Sequence, residues 1–254
     1  MRVLIFSFLP SKSTQKRTRD MLEYNHKIIF GGDFMMISPE TYYEENLKGK
    51  TPEEILKAIR SLKREITRLK NIAEHPDYVS EMHPSESVRI SCSQDYLERA
   101  KQALKELGVE YQLTKSEFKA IEFDENIPNI SKIIFSIGGF LCGEKLVEVT
   151  ITDDTAELKY GRSYIPTNPD DFDKIETIDK ATFLEEFKCL HIGEWRKNYN
   201  TKRFGYTVLD GTQWELEIHY SNNTKPVKIY GDNAYPYNFD RLKDLLMCGF
   251  DMED

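Results

Sequence analysis

The 254-residue sequence predicts an α+β fold in which a helical hairpin packs with a mainly antiparallel β-sheet. Apolar residues recur at helical spacing across about 51–107, and short strand-like runs separated by Gly and Asp follow after Asn126. The composition is 39% hydrophobic and 12% aromatic, which is typical of a chain that buries a large core. The helices and most of the sheet therefore come from different stretches of the chain.

Two short apolar stretches open the chain. Residues 2–8 are rich in β-branched and aromatic residues and predict a buried strand. The apolar runs 27–30 and 34–37 flank a Gly-Gly-Asp turn and predict a β-hairpin. The first apolar run is too short for a secretory signal, and Pro10 and several basic residues follow it.

The clearest helix signal is the sequence Thr51-Pro52-Glu53-Glu54. A threonine N-cap with glutamate three residues later forms a capping box, and proline is favoured at the first helical position. Apolar residues then follow in steps of four and three, so we predict a helix over 53–73 with a heptad seam. The seam fits packing inside the chain or a homodimer through this helix, and both interpretations stay open.

A second helix is predicted over 94–107, with Ser93 as its N-cap and Gly108 as its C-terminal stop. The intervening segment 75–92 contains two His-Pro pairs and several serines, which predict a loop that reverses the chain. The two helices are therefore expected to pack antiparallel.

The second half of the chain is predicted to be mostly strands. A hairpin is expected around Asp210-Gly211, and residues 165–176 are expected to form a surface loop. Two further helices are predicted over 179–189 and 239–248, the latter capped by Asn238. The strand candidates are 130–135, 146–152, 156–160, 204–209, 213–220 and 226–230.

These patterns divide the chain into a first part, residues 1–125, and a second part, residues 126–254. The first part holds the N-terminal strands and the helical hairpin, and the second holds the antiparallel sheet with two helices. The region 110–128 is not rich enough in Ser, Gly and Pro to mark a flexible linker, so a single integrated domain remains an alternative.

Charge and hydropathy limit the classes of partner. Lys and Arg total 35 against 43 Asp and Glu, so the net charge of −8 disfavours a general DNA-binding protein. Basic residues concentrate in 12–19 and 60–70, which leaves a nucleic-acid-associated accessory factor as an alternative function. No apolar run reaches the roughly 18 residues of a membrane span, so we expect no membrane partner.

The cysteine pattern predicts reduced thiols. The residues are widely spaced, with no C-x-x-C motif, and a chain of this size needs no disulfide to fold. This usage predicts a cytoplasmic protein. The four cysteines are Cys92, Cys142, Cys189 and Cys248.

One strand candidate carries metal-binding residue types. In the alternating run from Trp214 to Tyr220, Glu215, Glu217 and His219 share a face with roughly 7 Å between successive members. This set could bind a divalent metal in a metal-assisted hydrolase, or it could be the polar face of a half-solvated strand. The sequence has no glycine-rich nucleotide motif, zinc spacing or nucleophile elbow, so no cofactor is predicted and a catalytic role is not favoured.

Aromatic residues concentrate near the C-terminus, where they make up ten of the fifty residues in 191–240. This enrichment suits a recognition surface or an aromatic-rich core. The favoured hypothesis is a non-catalytic module that binds a protein or peptide through this surface. The candidate binding residues are Trp195, Trp214, Asn233, Tyr235 and Tyr237.

Two segments carry a resemblance to known sequences. The first is the helical stretch from Glu53 to Leu107, which contains Glu-His-Pro and Tyr-Leu-Glu-Arg-Ala-Lys. The second runs from Asp210 to Asp240 and contains Asp-Gly-Thr-Gln-Trp-Glu-Leu-Glu-Ile and Gly-Asp-Asn-Ala-Tyr-Pro-Tyr-Asn-Phe. Together they resemble uncharacterised proteins of anaerobic Gram-positive bacteria. The resemblance implies a bacterial cytoplasmic protein, and it implies no activity and no site residue.

Overall fold

The elements below come from a computed structural model that describes residues 36–79, 84–139, 143–162, 172–208, 210–248 and 250. The helices in these residues are α1 (Pro39–Asn46), α2 (Pro52–Ala73), α3 (Glu86–Glu106), α4 (Lys115–Asn126), α5 (Lys180–Lys188) and α6 (Phe239–Leu246). The strands are β1 (Ile130–Gly139), β2 (Gly143–Ile151), β3 (Thr155–Arg162), β4 (Lys174–Asp179), β5 (Asn198–Asn200), β6 (Thr212–Tyr220) and β7 (Val227–Asp232).

The seven strands form a single sheet in the order β4-β3-β2-β1-β6-β7-β5. Every neighbouring pair is antiparallel except β5 and β7, which are parallel. The α+β prediction with a mainly antiparallel sheet is therefore confirmed. The predicted strand 2–8, most of the hairpin 27–37 and the basic stretch 12–19 lie outside the described residues.

Helix α2 begins with the capping box that the sequence predicts. The Thr51 hydroxyl accepts a hydrogen bond from the Glu54 N–H, and the Glu54 carboxylate accepts one from the Thr51 N–H at 2.9 Å. The apolar seam of α2 packs against α3 of the same chain, and the homodimer through this helix stays a prediction. The buried seam residues are Ile55, Ile59, Ile66 and Leu69.

Helix α3 begins earlier than the sequence analysis predicted. Its N-cap is Ser85, and Ser93 is buried within the helix, so the predicted start at 94 is wrong, and the predicted loop over 75–92 is wrong from residue 86 onwards. Ile90, Leu97 and Leu104 repeat every seven residues and pack against α2, and this packing outweighs the low helix propensity of the serines. Gly108 follows the helix with a left-handed φ of 74°, as its predicted role as a stop requires.

Three further parts of the chain differ from the predictions. Of the predicted strand 204–209, Phe204 ends a short 3-10 helix and residues 205–208 belong to no strand. Strand β6 pairs with β1 and β7, so the predicted hairpin around Asp210-Gly211 is wrong. Strand β4 contains residues 174–176 of the predicted 165–176 loop, and residues 165–171 of that loop lie outside the described residues. Helix α4 was missed, although Thr114 and Glu117 form a capping box like that of α2. The alternation of β6 is confirmed, since Trp214, Leu216 and Ile218 are buried.

The buried apolar residues form two clusters. One lies on a face of the sheet and includes Phe183 and Phe187 of α5 and Leu242 and Leu246 of α6. The other lies between α2 and α3, with Leu47 after α1. The chain from Pro39 onwards forms one compact unit, and the proposed division at residue 125 stays a prediction. No helix in the described part of the chain is long and apolar enough to cross a membrane.

Truncating the α2 seam should destabilise the protein strongly. We expect Ile59→Ala to lower the free energy of unfolding by about 2–5 kcal/mol, because Ile59 is 1% exposed and its loss leaves a cavity. The measurement is urea unfolding followed by circular dichroism. Ile72→Ala in the same helix is the matched control. Because Ile72 is 37% exposed, this change should lower the free energy of unfolding far less. Equal losses for the two variants would contradict the packing of α2.

Glu117 should make stability depend on acid pH. Burial raises the pKa of its carboxyl, but Thr114 and Lys63, whose Nζ lies 2.9 Å away, lower the pKa from 4.5 to about 2. The ionised group therefore stabilises the fold above pH 4.5, and this contribution is lost as the pH falls towards 2. We expect Glu117→Gln to cost about 1–2 kcal/mol at pH 7, after discounting for solvent.

The measurement is urea unfolding of wild type and Glu117→Gln at several pH values between 2 and 7. The difference in the free energy of unfolding between wild type and Glu117→Gln should become smaller below pH 4.5. The control is Glu122→Gln, a change of an exposed residue on the same helix, which should show no such difference. If the difference in the free energy of unfolding between wild type and Glu117→Gln does not change with pH, the ionised carboxylate is not the source of the stability.

Candidate functional site

The loop between β7 and α6 is attached to β6 at its first residue. Asn233 has a left-handed φ of 51°, a conformation that asparagine tolerates better than most residues. Its side-chain oxygen accepts a hydrogen bond from the Thr212 N–H at 2.9 Å, and its amide donates to Asp232 at 2.7 Å. These bonds hold the start of the loop in one orientation.

Trp214 of β6 supports the same loop from beneath. Its side chain is 2% exposed, and its indole N–H donates to the Ala234 carbonyl at 3.0 Å. Gly231 must lack a side chain here, because an added Cβ would overlap the indole and lie 2.7 Å from the Ala234 oxygen. The Trp214 ring packs against Phe239 at 4.8 Å and Trp195 at 6.4 Å. Trp214 is thus a buried support of the candidate surface and is not exposed on it.

The end of the loop is held by Asn238. Its carbonyl oxygen accepts from the Trp195 indole N–H at 3.1 Å, and its amide donates to the Leu190 carbonyl at 2.7 Å. Asn238 was expected to cap α6, but its side chain makes no capping hydrogen bond, because it is committed to these two partners. The loop is therefore fixed to the 190–195 segment as well as to β6.

Tyr237 connects the loop to the helical hairpin. Its ring packs against the α2–α3 cluster, and Lys70 Nζ lies 4.7 Å from the ring centre. Burial raises the pKa of the Tyr237 phenol well above its ordinary value, the nearby Glu194 raises it further, and a hydrogen bond with Gln94 acts in the opposite direction. The phenol is therefore neutral at physiological pH.

The loop and the C-terminal end of α2 enclose a cleft of about 540 Å³. We call it the tyrosine cleft. Lys243 of α6 lies at its edge, where it pairs with Asp240 at 2.8 Å. Its main lining residues are Glu74, His75, Tyr78, Asn233, Tyr235 and Tyr237.

Glu74 is the buried charge of this cleft. Its carboxylate is 4% exposed and pairs with Arg203 at 2.7 Å and with Arg196 at 3.5 Å. Arg203 and Arg196 also donate to the side chain of Asn71 one helical turn earlier. Because its charge is neutralised by two arginines, Glu74 orders the wall of the cleft, and His75 and Lys243 are further basic residues of the lining.

The predicted metal ligands lie together on one face of β6. Glu217 is engaged on both oxygens, by Lys228 Nζ at 2.7 Å and by His219 Nε2 at 3.0 Å. The His219 contact is close enough for an ion pair but lacks hydrogen-bond alignment. Glu215 is exposed. Within the described residues no three His, Cys, Asp or Glu side chains form a metal-binding group. A metal on Glu215, Glu217 and His219 stays a prediction.

The basic stretch 60–70 is largely paired with carboxylates of the same chain. Lys63 binds Glu117, and Lys70 binds Glu194. Arg68 binds Glu65 at 2.7 Å. The nucleic-acid alternative stays a prediction, with much of this charge already compensated.

The structure brings three of the five predicted binding residues together. Asn233, Tyr235 and Tyr237 line the tyrosine cleft, whereas Trp195 lines a separate cavity beside α4. Sequence reasoning missed the opposite wall, formed by the end of α2. Its only local signal was the His75-Pro76 pair that ends the helix, and a helix stop does not reveal which distant loop lies beside it.

Comparison with known protein families, curated proteins and solved structures found no match to this chain. The resemblance to uncharacterised proteins of anaerobic Gram-positive bacteria therefore stays a prediction. The geometry of the site carries the functional argument alone.

A methyl group at Gly231 should disturb the loop. We expect Gly231→Ala to lower the free energy of unfolding by about 1–3 kcal/mol and to change tryptophan fluorescence, because the Cβ overlaps Trp214. The measurement is urea unfolding followed by fluorescence. Tyr230→Ala changes the adjacent residue, which is 46% exposed, and serves as the control. An unchanged Gly231→Ala protein would contradict the close approach of Trp214.

Proposed function

We propose that this chain is a non-catalytic binding protein that recognises a peptide segment of another protein in the tyrosine cleft. The observation that carries the proposal is the way the loop is held. Asn233, Trp214 and Asn238 fix the loop through hydrogen bonds at its start, middle and end. Its tyrosines are thereby presented in one conformation before any ligand binds.

Fixed tyrosines suit recognition for two physical reasons. A preorganised surface loses little conformational entropy on binding, so more of the contact energy appears as affinity. Tyrosine also offers a large apolar ring together with a polar hydroxyl, and it is enriched among the residues that dominate binding energy. Tyr235 is half-buried and packs on Phe239 at 4.8 Å, so one part of its ring is supported while another faces the cleft.

The lining of the cleft favours a mixed ligand. Tyrosine rings and Pro236 offer apolar contacts, while Asn233, His75 and Lys243 offer polar ones. Its volume of about 540 Å³ lies within the range of sites that enclose a small ligand or the side chains of a short segment. These features support a peptide with apolar side chains and at least one hydrogen-bonding or acidic group.

We further propose a cytoplasmic location, as the cysteine pattern predicts. Cys92, Cys189 and Cys248 are free thiols in the structure. Free thiols in a chain of this size suit a reducing compartment.

Peptide selection tests the proposal. Binders are selected from a phage-displayed library of random 12-residue peptides on the wild-type protein, and the best peptide is measured by fluorescence polarisation. We expect Tyr235→Ala to raise its Kd by about tenfold or more, the range of a central aromatic contact.

Tyr230→Ala is the matched control, because it removes an exposed tyrosine outside the cleft, and it should change Kd by less than about twofold. Thermal melts establish that both variants fold. The proposal fails if no peptide is selected, or if the selected peptides bind Tyr235→Ala as tightly as wild type.

A further inference from the structure

A second and larger cavity lies between α4 and β7. Its volume is about 1000 Å³, and it shares no lining residue with the tyrosine cleft. We call it the lysine groove. Helix α4 approaches one end closely, since a Cβ on Gly193 would lie 2.9 Å from Ala120. The groove is therefore formed by the packing of α4 against the 192–194 turn, with β7 as its other wall.

The floor of the groove is apolar. Phe123, Trp195 and Tyr220 line it and pack against the sheet cluster. The Trp195 indole N–H already donates to Asn238, so this residue offers the groove its apolar ring. Burial raises the pKa of Tyr220 to about 12, which keeps its phenol neutral at physiological pH. A ligand in this groove gains most from apolar side chains on the side that faces the floor.

The rim of the groove carries four lysines. Lys228 is paired with Glu217, whereas Lys119, Lys197 and Lys225 make no ion pair within the described residues. Three such lysines on one rim make the groove locally basic, although the net charge of the chain is −8.

The charge of the groove is also asymmetric. Glu122 and Glu125 belong to the α4 wall, while Lys197, Lys225 and Lys228 lie on the sheet side. An anionic ligand is therefore favoured on the sheet side of the groove.

The backbone of β7 is open where it borders the groove. Strand β5 pairs with β7 only from Tyr230 to Asp232, and the Tyr230 N–H donates towards β5 to the Lys197 carbonyl at 3.3 Å. Alternate residues of a strand direct their backbone groups to the same side, so Lys228 also directs its N–H and carbonyl towards this edge. Neither group has a backbone partner on that side in the part of the chain that the structure describes.

We propose that the lysine groove binds an extended acidic segment of a partner protein, which adds a short strand to β7 at Lys228. Backbone hydrogen bonds to Lys228 supply the pairing, as in other cases of strand addition. Alternate side chains of the segment then point in opposite directions. One set contacts the apolar floor, and acidic residues in the other set pair with Lys197 and Lys225.

The open edge suits one short strand and no more. Pro226 has no backbone N–H, so it cannot donate to an added strand two residues before Lys228. On the other side of Lys228, β5 already occupies the edge from Tyr230 onwards. The segment is thus limited to a few paired residues, and its affinity depends on the lysines and the floor as much as on the backbone.

A defined probe tests the proposal independently of the tyrosine cleft. The probe is a fluorescein-labelled ten-residue peptide of alternating glutamate and valine, measured by fluorescence polarisation against the full chain. We expect saturable binding that weakens with salt, and no binding of the matching lysine–valine peptide. We also expect the Lys197→Glu/Lys225→Glu double variant to raise Kd by about tenfold or more.

The matched control is the Lys50→Glu/Lys57→Glu double variant, which makes the same change of net charge at exposed lysines outside the groove. It should leave Kd within about twofold of wild type. A probe N-methylated on its glutamate nitrogens should bind at least about tenfold more weakly, because it cannot form the ladder. Tyr235→Ala should leave probe binding unchanged, which separates this site from the tyrosine cleft.

Several outcomes would overturn the proposal. The first is an absence of saturable probe binding up to about 1 mM, a concentration beyond which any affinity is negligible. The second is an equal rise in Kd in the two double lysine variants. The third is an unchanged Kd for the N-methylated probe. Loss of binding in Tyr235→Ala would likewise assign the probe to the tyrosine cleft. Thermal melts of each variant establish that a loss of binding does not come from unfolding.

Discussion

The position of Trp214 is the constraint on which the C-terminal half depends. This one side chain of β6 donates to the Ala234 carbonyl, packs on Phe239 of α6 and contacts the ring of Trp195. It requires glycine at 231, because the neighbouring strand passes directly beside the indole. A sheet strand, a loop and a helix are thereby held around one buried ring. The orientation of the tyrosine cleft follows from this packing, since the loop cannot move without breaking it.

A second constraint joins the helical hairpin to the sheet side of the molecule. Glu74, at the end of α2, is buried against Arg203, and Lys70 pairs with Glu194. A buried ion pair contributes little net stability, because desolvation offsets the attraction, but removing one partner leaves an uncompensated charge. These contacts therefore fix the position of the end of α2 relative to the 194–203 segment. The packing of α2 against the 194–203 segment leaves a space between α2 and Tyr235, and this space is the tyrosine cleft.

The two cavities share a framework but differ in chemistry. Trp195 lines the lysine groove while its indole N–H holds Asn238, which ends the loop of the tyrosine cleft. The tyrosine cleft offers tyrosine side chains and a carboxylate paired with two arginines, whereas the lysine groove offers lysine side chains and an open strand edge. The aromatic residues enriched in 191–240 therefore have two roles, since some pack in the core and others line a cavity. Trp214 and Tyr199 are buried in the core, and Tyr235 lines a cavity.

The sequence by itself determined the local features: the capping box of Thr51, the seam of α2, the stop at Gly108 and the alternation of β6. It also contained the signal of α4, because Thr114 and Glu117 have the same capping-box spacing as Thr51 and Glu54. Only the tertiary structure decided where α3 begins, which strands border β6 and which helix end faces the 233–237 loop. Local signals arise from interactions within a few residues. Strand pairing and cavity walls instead depend on packing between distant segments, whose relative positions no short pattern encodes.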